Sequence, residues 1–411
     1  MNDNAERTDL HLDVNQLGPE EAVHELIEHA AAIKASDLFL VSNETHVAVH
    51  VRHLGILRLI SVMPLELGRR CMAHIKAVAG MDVAERRRPQ DGRWIYERPS
   101  GARLDLRINT VPTLYGEDYT LRLLERDSRL LHLDQLGLLR HDYNRLQSML
   151  NNPSGLILVT GPTGSGKTTT LYACLSYLNN GERKINTIED PIEYALSGVR
   201  QSQVNPRLDL DFPDLLRNVL RQAPDVIMIG EVRDPVTAET AVRAANSGHL
   251  VLATLHAPVA AGAIQSMLAL GVHPHFLASS LLGAVAQRLV RTLCPECRMP
   301  VDLSDAPHTF DEIRRWLEPG QGRQMWGPRG CPACYKTGYT DRTGVFEVLT
   351  VSPALRKLIV QKQPIQALRQ KAAEEGLIEF RHSALLKVAR GETSFEEVFR
   401  AVPSEYLAVE D

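Results

Sequence analysis

The chain has 411 residues, of which 44% are hydrophobic and 23% charged, with a formal net charge of −4. That length exceeds what one core serves and predicts two or three domains of an ordinary globular protein. No apolar stretch approaches the ~20 residues that cross a bilayer. The polar, acidic N-terminus is no signal peptide, and an acidic pI argues against a dedicated nucleic-acid binder. A cytoplasmic protein is expected, held at a membrane only through a partner.

Residues 1–34 are read as a short helical segment. Pro19 to Lys34 places Val23, Leu26, Ile27, Ala30 and Ile33 on one face, with Pro19 at the helix start. The other face carries Glu20, Glu21, Glu25 and Glu28 and lacks the basic residues that attract anionic lipid. The apolar stripe is expected to pack on the protein's own first domain. Residues 35–130 then read as an α+β domain. Val47 to Arg52, Arg103 to Ile108 and Tyr119 to Leu124 are its strands and Leu67 to Ala79 a helix, with a connection over Arg126 to Leu138.

Residues 131–411 form the larger domain, with a module at 290–340 and a helical part at 350–411. Leu156 to Thr160 is an apolar run, followed by Gly161-Pro162-Thr163-Gly164-Ser165-Gly166-Lys167-Thr168 and a helical stretch from Lys167 to Leu178. A strand, a glycine-rich loop and a helix in that order make a phosphate-binding loop. Its glycines let backbone N–H groups face a polyphosphate, and the helix N-terminus adds partial positive charge. Lys167 supplies a point charge for the β- and γ-phosphates, the Thr168 hydroxyl can ligate Mg²⁺, and Thr169 completes the loop's edge. The expected ligand is ATP, because no Asn-Lys-x-Asp guanine-reading motif occurs in the chain.

Three further strands follow, separated by helices at Phe212 to Arg221 and Thr237 to Ala245: Lys184 to Ile188, Val226 to Ile229 and His249 to Leu255. Continuous apolar strands between helices predict a parallel sheet covered on both faces, with ligands beyond the strands' carboxyl ends. Glu189 and Asp190, Glu231 and His256 stand at those ends. Glu231 is the candidate that positions water, and Glu189 the candidate that orders metal or water. His249 and His256 are each either core groups or ligands, with His256 the better placed for the γ-phosphate. Arg217, Arg221 and Arg233, together with Arg93 and Arg107 of the first domain, are candidate cations for phosphoryl-transfer charge. The run Arg86 to Arg88 reads as a solvated face.

Cys294-Pro-Glu-Cys297 and Cys331-Pro-Ala-Cys334 suit a closed site with four thiolates around Zn²⁺, structural rather than catalytic. Cys71 and Cys174 read as core residues.

On these residues the chain resembles the bacterial secretion ATPase superfamily, most of all the motor ATPases of type II secretion and type IV pilus assembly. The resemblance spans roughly residues 35–400. It rests on the phosphate loop, Thr187 to Tyr194, Val226 to Asp234, Gly248 to His256, Gln287 to Cys297 and Gly80 to Arg93. It implies a RecA-like P-loop ATPase domain, a smaller N-terminal α+β (PAS-like) domain, an inserted Cys₄ zinc module and a ring homohexamer. It also implies that Glu231 is the catalytic carboxylate, that Glu189 orders metal or water, and that His256 contacts the γ-phosphate. Arg93 and Arg107 would reach the nucleotide, and Arg217, Arg221 and Arg233 would serve as interface or sensor groups. ATP hydrolysis would drive an inner-membrane platform protein that adds pilin-like subunits to a fibre, with a membrane-anchored docking protein as a further partner. On this resemblance a front shorter than in full-length relatives is expected, and Ser36 to Ser42 lacks the His, Glu and Pro usual there. An assembly motor is expected; the alternatives are a retraction-type motor and a RecA-like nucleic-acid motor.

Overall fold

A computed structural model describes residues 10–125, 131–304, 306 and 308–407. Part of the expected connection, residues 126–130, lies outside the described residues. The chain divides into two compact units. One is Met1–Arg129 with Cys294–Arg298 and Pro328–Asp341; the other is Leu130–Leu293, Met299–Gly327 and Arg342–Asp411.

The first unit begins with α1 (Pro19–Ala32), which takes Pro19 at its start and Glu20 and Glu21 in its first turn, where they complement the helix dipole. Three strands follow: β1 (Asp37–Ser42), β2 (His46–His53) and β3 (Ile56–Pro64). Then come α2 (Leu65–Val78), β4 (Gln90–Glu97), β5 (Arg103–Thr113) and β6 (Gly116–Glu125). The strands form an antiparallel sheet in the order β3-β2-β1-β6-β5-β4. Alternate residues such as Val47, Val49 and Val51 are buried with residues of both helices in one core. Val23, Leu26, Ile27, Ala30 and Ile33 all join that core, so the apolar stripe of α1 is covered by its own unit.

The second unit opens with α3 (Arg140–Leu150), β7 (Gly155–Thr160), α4 (Lys167–Leu178), β8 (Ile185–Glu189) and β9 (Arg200–Gln203). It continues through α5 (Phe212–Val219), β10 (Val226–Ile229), α6 (Pro235–Asn246) and β11 (Leu250–Leu255). Next are α7 (Ala260–Ala269), α8 (Pro274–Ser280), β12 (Leu281–Leu293), the short ribbon β13 (Met299–Val301) and β14 (Met325–Gly327), and β15 (Tyr339–Thr350). Four helices close it: α9 (Pro353–Val360), α10 (Ile365–Glu374), α11 (Phe380–Ala389) and α12 (Phe395–Ala401).

The main sheet runs β15-β12-β7-β11-β10-β8-β9. Pairing is parallel from β12 through β7, β11, β10 and β8 to β9. Successive residues of one strand enter opposite cores. Leu156 and Leu158 of β7 pack with residues of α5, α6 and α7, whereas Ile157 and Val159 pack with residues of α3 and α4. Burial on both faces is why these strands read as unbroken apolar runs. Among the described residues, no helix is long and apolar enough to cross a membrane.

One buried carboxyl in this unit carries a pH signature. Asp142 is fully buried, and neither of its oxygens has a hydrogen-bond partner. Burial, only partly offset by Arg145, pushes its pKa up to about 7. Below that value the folded chain holds a proton that the unfolded chain, with an ordinary carboxylate, has already released. This group therefore subtracts stability above pH 7 and stops doing so as the pH falls towards 4. Asp142→Asn is expected to raise the melting temperature at pH 8 by about 2–4 °C, with the gain shrinking at pH 5. Equal gains at both pH values in thermal melts would contradict this.

Candidate nucleotide site and metal centre

Parallel register brings the carboxyl ends of four strands level. Thr160 of β7 pairs with Leu255 of β11, Ala253 with Ile229 of β10, and Ile229 with Ile188 of β8. The segments that follow these ends therefore leave the sheet at one edge. Thr160 Oγ1 ties two of them together, accepting from the Ala257 N–H at 2.6 Å and donating to the Ala257 carbonyl at 2.8 Å.

The phosphate loop starts at this edge. Gly161, Gly164 and Gly166 have φ of +142°, +75° and +89°, values that side chains with a Cβ rarely adopt. A Cβ on Gly161 would lie 2.4 Å from the Gln287 carbonyl oxygen, whereas Gly164 has open space around it. Gly166 precedes α4 without any side-chain cap, and the first turn of α4 holds no acidic residue. The free N–H groups and dipole of that turn thus remain for an anion. Lys167 Nζ is folded onto the loop, donating to the carbonyls of Gly161 (2.9 Å) and Pro162 (3.0 Å). Burial lowers its pKa, opposed by the Glu231 charge. Pro162, Thr163 and Thr168 are exposed and Thr169 half-buried, so the Thr168 hydroxyl is open to a metal ion.

Glu231 follows β10 and is met by two side chains. Arg233 pairs with one of its oxygens, and His256 Nε2 lies 2.6 Å from the other. Burial alone would raise its pKa, but Arg233 first and His256 second more than offset this and hold the carboxyl below its ordinary value. Glu231 is therefore a carboxylate, with only a small part of its surface open. Gly230, where many NTPases carry Asp, has a steric reason to lack a side chain. A Cβ there would sit 3.1 Å from the Ile188 carbonyl oxygen and 3.3 Å from Glu189 Cα.

Glu189 is placed differently from expectation. Ile185, Thr187 and Glu189 share the face of β8 that is covered by α4, because side chains alternate along a strand. Its carboxylate is 3% exposed. It accepts hydrogen bonds from Tyr172, from Thr187 Oγ1 at 2.5 Å and from Gln201 Nε2 at 3.0 Å. Here it ties β8 to α4 and β9 rather than facing the open edge.

The arginines also separate. Arg233 lies on Glu231. Arg217 pairs with Asp214 on the surface of α5, and Arg221 is exposed in the turn after that helix. Arg93 and Arg107 are cross-strand neighbours in the first unit, where Arg93 Nε donates to Asp105 at 2.7 Å. His249, by contrast, precedes β11 at the far edge of the sheet, its Nδ1 2.9 Å from the Ala244 carbonyl oxygen. Tyr172 and Gln201 carry no site signal in the sequence, and Gln287 only opens the segment Gln287 to Cys297. Gln201 sits in a polar strand, Arg200 to Gln203, that carries no apolar alternation.

The four cysteines converge. Sγ···Sγ distances are 3.8 Å for Cys294–Cys331, 3.8 Å for Cys297–Cys334 and 3.7 Å for Cys331–Cys334. Zn–S bonds of ~2.3 Å in a tetrahedron require S···S edges of about 3.8 Å, so the donor set fits a closed zinc site. Backbone N–H groups already point at the sulfurs: Gly330 to Cys297 at 3.3 Å, and Cys331 and Gly338 to Cys334 at 3.2 Å each. Burial raises the Cys334 thiol, but these donors outweigh it and bring the pKa to about 7. Pro332 opens the turn that carries Cys334, and Tyr335 leaves it with φ of 49°. The two cysteine turns, Cys294–Arg298 and Pro328–Asp341, cluster with the first unit, whereas Met299–Gly327 between them clusters with the second; the Tyr335 ring meets His53 edge-on at 6.1 Å. Cys71 and Cys174 are buried single thiols, pushed up to about 11 and about 12 by burial.

The model of the family described as "Type II/IV secretion system protein" matches residues 15–400. Type II secretion system protein E of Dickeya dadantii is 42% identical over 383 residues, covering 93% of this chain and 75% of the relative. Type II secretion system ATPase E of Vibrio cholerae is 41% identical over 381 residues, covering 92% and 74%. Among solved structures, the DotB ATPase of Legionella pneumophila aligns with a TM-score of 0.69 at 20% identity, covering 94% of this chain and 96% of that one. The pilus retraction motor PilT with bound ADP aligns at 0.60 and 24% identity, covering 94% and 97%. These two show a shared fold. The chain belongs to the type II/IV secretion system protein family and is one of its ATPases.

Proposed function

We propose that this chain is the hexameric ATPase motor that drives pilin-like fibre assembly in a type II secretion or type IV pilus system. It would act at the inner membrane through a platform protein and a docking protein. The observation that carries the catalytic part is the grouping of Lys167, Glu231, Arg233 and His256 beside an open phosphate loop at one sheet edge. The names of the 41–42% identical relatives support the secretion assignment.

In this reading the loop's N–H groups and Lys167 bind the β- and γ-phosphates of ATP. Lys167 leaves the carbonyls of Gly161 and Pro162 to do so, exchanging neutral acceptors for charged ones. Thr168 would hold Mg²⁺, which when bound neutralises charge on the phosphate oxygens. Glu231 orders the attacking water, and His256 orients the carboxylate from its other side. Arg233 is free to turn from Glu231 towards the charge that develops on the transferred phosphoryl group.

Lys167→Ala tests the loop. ATP and ADP affinities should fall at least about tenfold, because the lysine contacts phosphates in the ground state. Titration calorimetry on the full chain with Mg²⁺ measures this, and unchanged affinity in a folded variant would remove the loop from the proposal. Sedimentation of the parent with ATP tests the ring: a species smaller than six chains at all concentrations counts against it.

A further inference from the structure

Behind the phosphate loop, on the neighbouring strand β12, stands Gln287. The residue is 2% exposed, and its Nε2 donates to the Ser165 carbonyl at 2.7 Å. The contact is close on every side. A Cβ on Gly166 would lie 3.2 Å from Gln287 Nε2, and one on Gly161 would lie 2.4 Å from the Gln287 carbonyl oxygen. Gln287 Oε1 and Ser165 Oγ are both buried without a hydrogen-bond partner. Buried polar atoms are nearly always satisfied in native proteins, and an apolar side chain would fill this space at lower cost if filling were its only task.

The peptide unit supplies the reason for an amide here. Ser165 C=O and Gly166 N–H belong to one planar trans unit and point in opposite directions. A donor that fixes the carbonyl towards β12 therefore fixes the Gly166 N–H away from β12, towards the mouth of the loop. Gly166 has φ of +89°, a conformation without a Cβ to limit rotation of this peptide. The side chain of Gln287 replaces that missing constraint.

We infer that Gln287 is a positioning residue for nucleotide binding, which holds the Ser165–Gly166 peptide so that the Gly166 N–H meets the β-phosphate. This rests on the loop binding nucleotide, as proposed above. Both ADP and ATP carry the β-phosphate, so both depend on Gln287 to the same degree. Losing a contact that is as strong before the transition state as in it raises KM and leaves kcat.

Gln287→Met keeps the length and removes the donor; Gln287→Leu removes both polar groups with a shorter, branched side chain. In the full chain with Mg²⁺, both variants should bind ADP and ATP at least about tenfold more weakly than the parent. Their nucleotide-free melting temperatures should stay within about 3 °C of it. KM for ATP should rise for the Met variant with kcat changed less than about threefold. A folded Met variant that binds ADP within about twofold of the parent overturns the inference. So does a weakening that appears only together with a collapse of nucleotide-free stability in both variants, since that is a packing role. If the Met variant does not fold, the Leu variant decides by the same criterion. A parent that binds ADP while Lys167→Ala does not confirms the loop independently; a parent that binds neither nucleotide overturns the loop's reading and this inference with it.

Discussion

Glu231→Gln is expected to bind ATP about as tightly as the parent and to lose about 10²-fold or more in turnover. The amide matches the carboxylate in size and can still accept a hydrogen bond from His256 or Arg233, so the local packing has no cause to change. What it loses is charge and basicity. In the parent, Arg233 and His256 hold the carboxyl below its ordinary pKa, which keeps it ionised throughout the neutral range. An ionised, partly desolvated carboxylate at the phosphate edge attracts the protons of a water and turns the water's lone pair outward. A neutral amide, with donors of its own, does not. The prediction separates two roles on one edge, since Lys167→Ala should fail at binding and Glu231→Gln at turnover. Phosphate release at saturating ATP, with nucleotide affinity measured in parallel, is the check. Near-normal turnover in a folded, nucleotide-binding variant would take the catalytic carboxylate away from Glu231.

One tightly held Zn²⁺ per chain is expected on Cys294, Cys297, Cys331 and Cys334. The sulfurs already stand at the tetrahedral spacing, and two of them, of Cys297 and Cys334, receive backbone N–H groups that favour thiolates. Zinc binding to such a set is folding free energy for the segment that carries it, on the order of 10 kcal/mol in small zinc domains. Cys334→Ser removes the ligand whose thiol is best supported by N–H donors. It should abolish tight zinc binding and lower the melting transition of the first unit by about 5–10 °C. ATP binding should change by less than about threefold, because the phosphate loop and Glu231 lie in the other unit. Elemental analysis of the purified parent, differential scanning calorimetry and nucleotide titration make the comparison. Absence of zinc from the parent, with four thiols titrating under native conditions, would sink the assignment.

Much of this site is legible in the chain because its parts are local. The phosphate loop is a contiguous strand, glycine-rich turn and helix, and the backbone conformations it needs are written in the positions of Gly161, Gly164 and Gly166. Each cysteine pair sits in one turn, where Cys-Pro-x-Cys spacing fixes two sulfurs at a time. Unbroken apolar runs announced strands buried on both faces, and parallel order then placed Glu231 and His256 at one edge without any knowledge of what packs on the sheet.

What remained beyond reach depends on which element covers which face. Glu189 ends a strand just as Glu231 follows one, and both are acidic residues after apolar runs. Only the packing of α4 and β9 buries the first under Tyr172 and Gln201, while Glu231, one residue past Gly230, meets Arg233 and His256. Gln287 is separated from Ser165 by more than a hundred positions, and the segment it opens, Gln287 to Cys297, gives no sign that it packs behind the loop. The unit that the cysteine turns join is likewise set by contacts between distant segments. Spacing along the chain determines turns, periodicities and the chemistry offered at each strand end, because those rest on backbone geometry within a few residues. Whether a polar side chain is used or buried is decided by tertiary packing, because the neighbours that desolvate it and supply its hydrogen bonds come from elsewhere in the sequence.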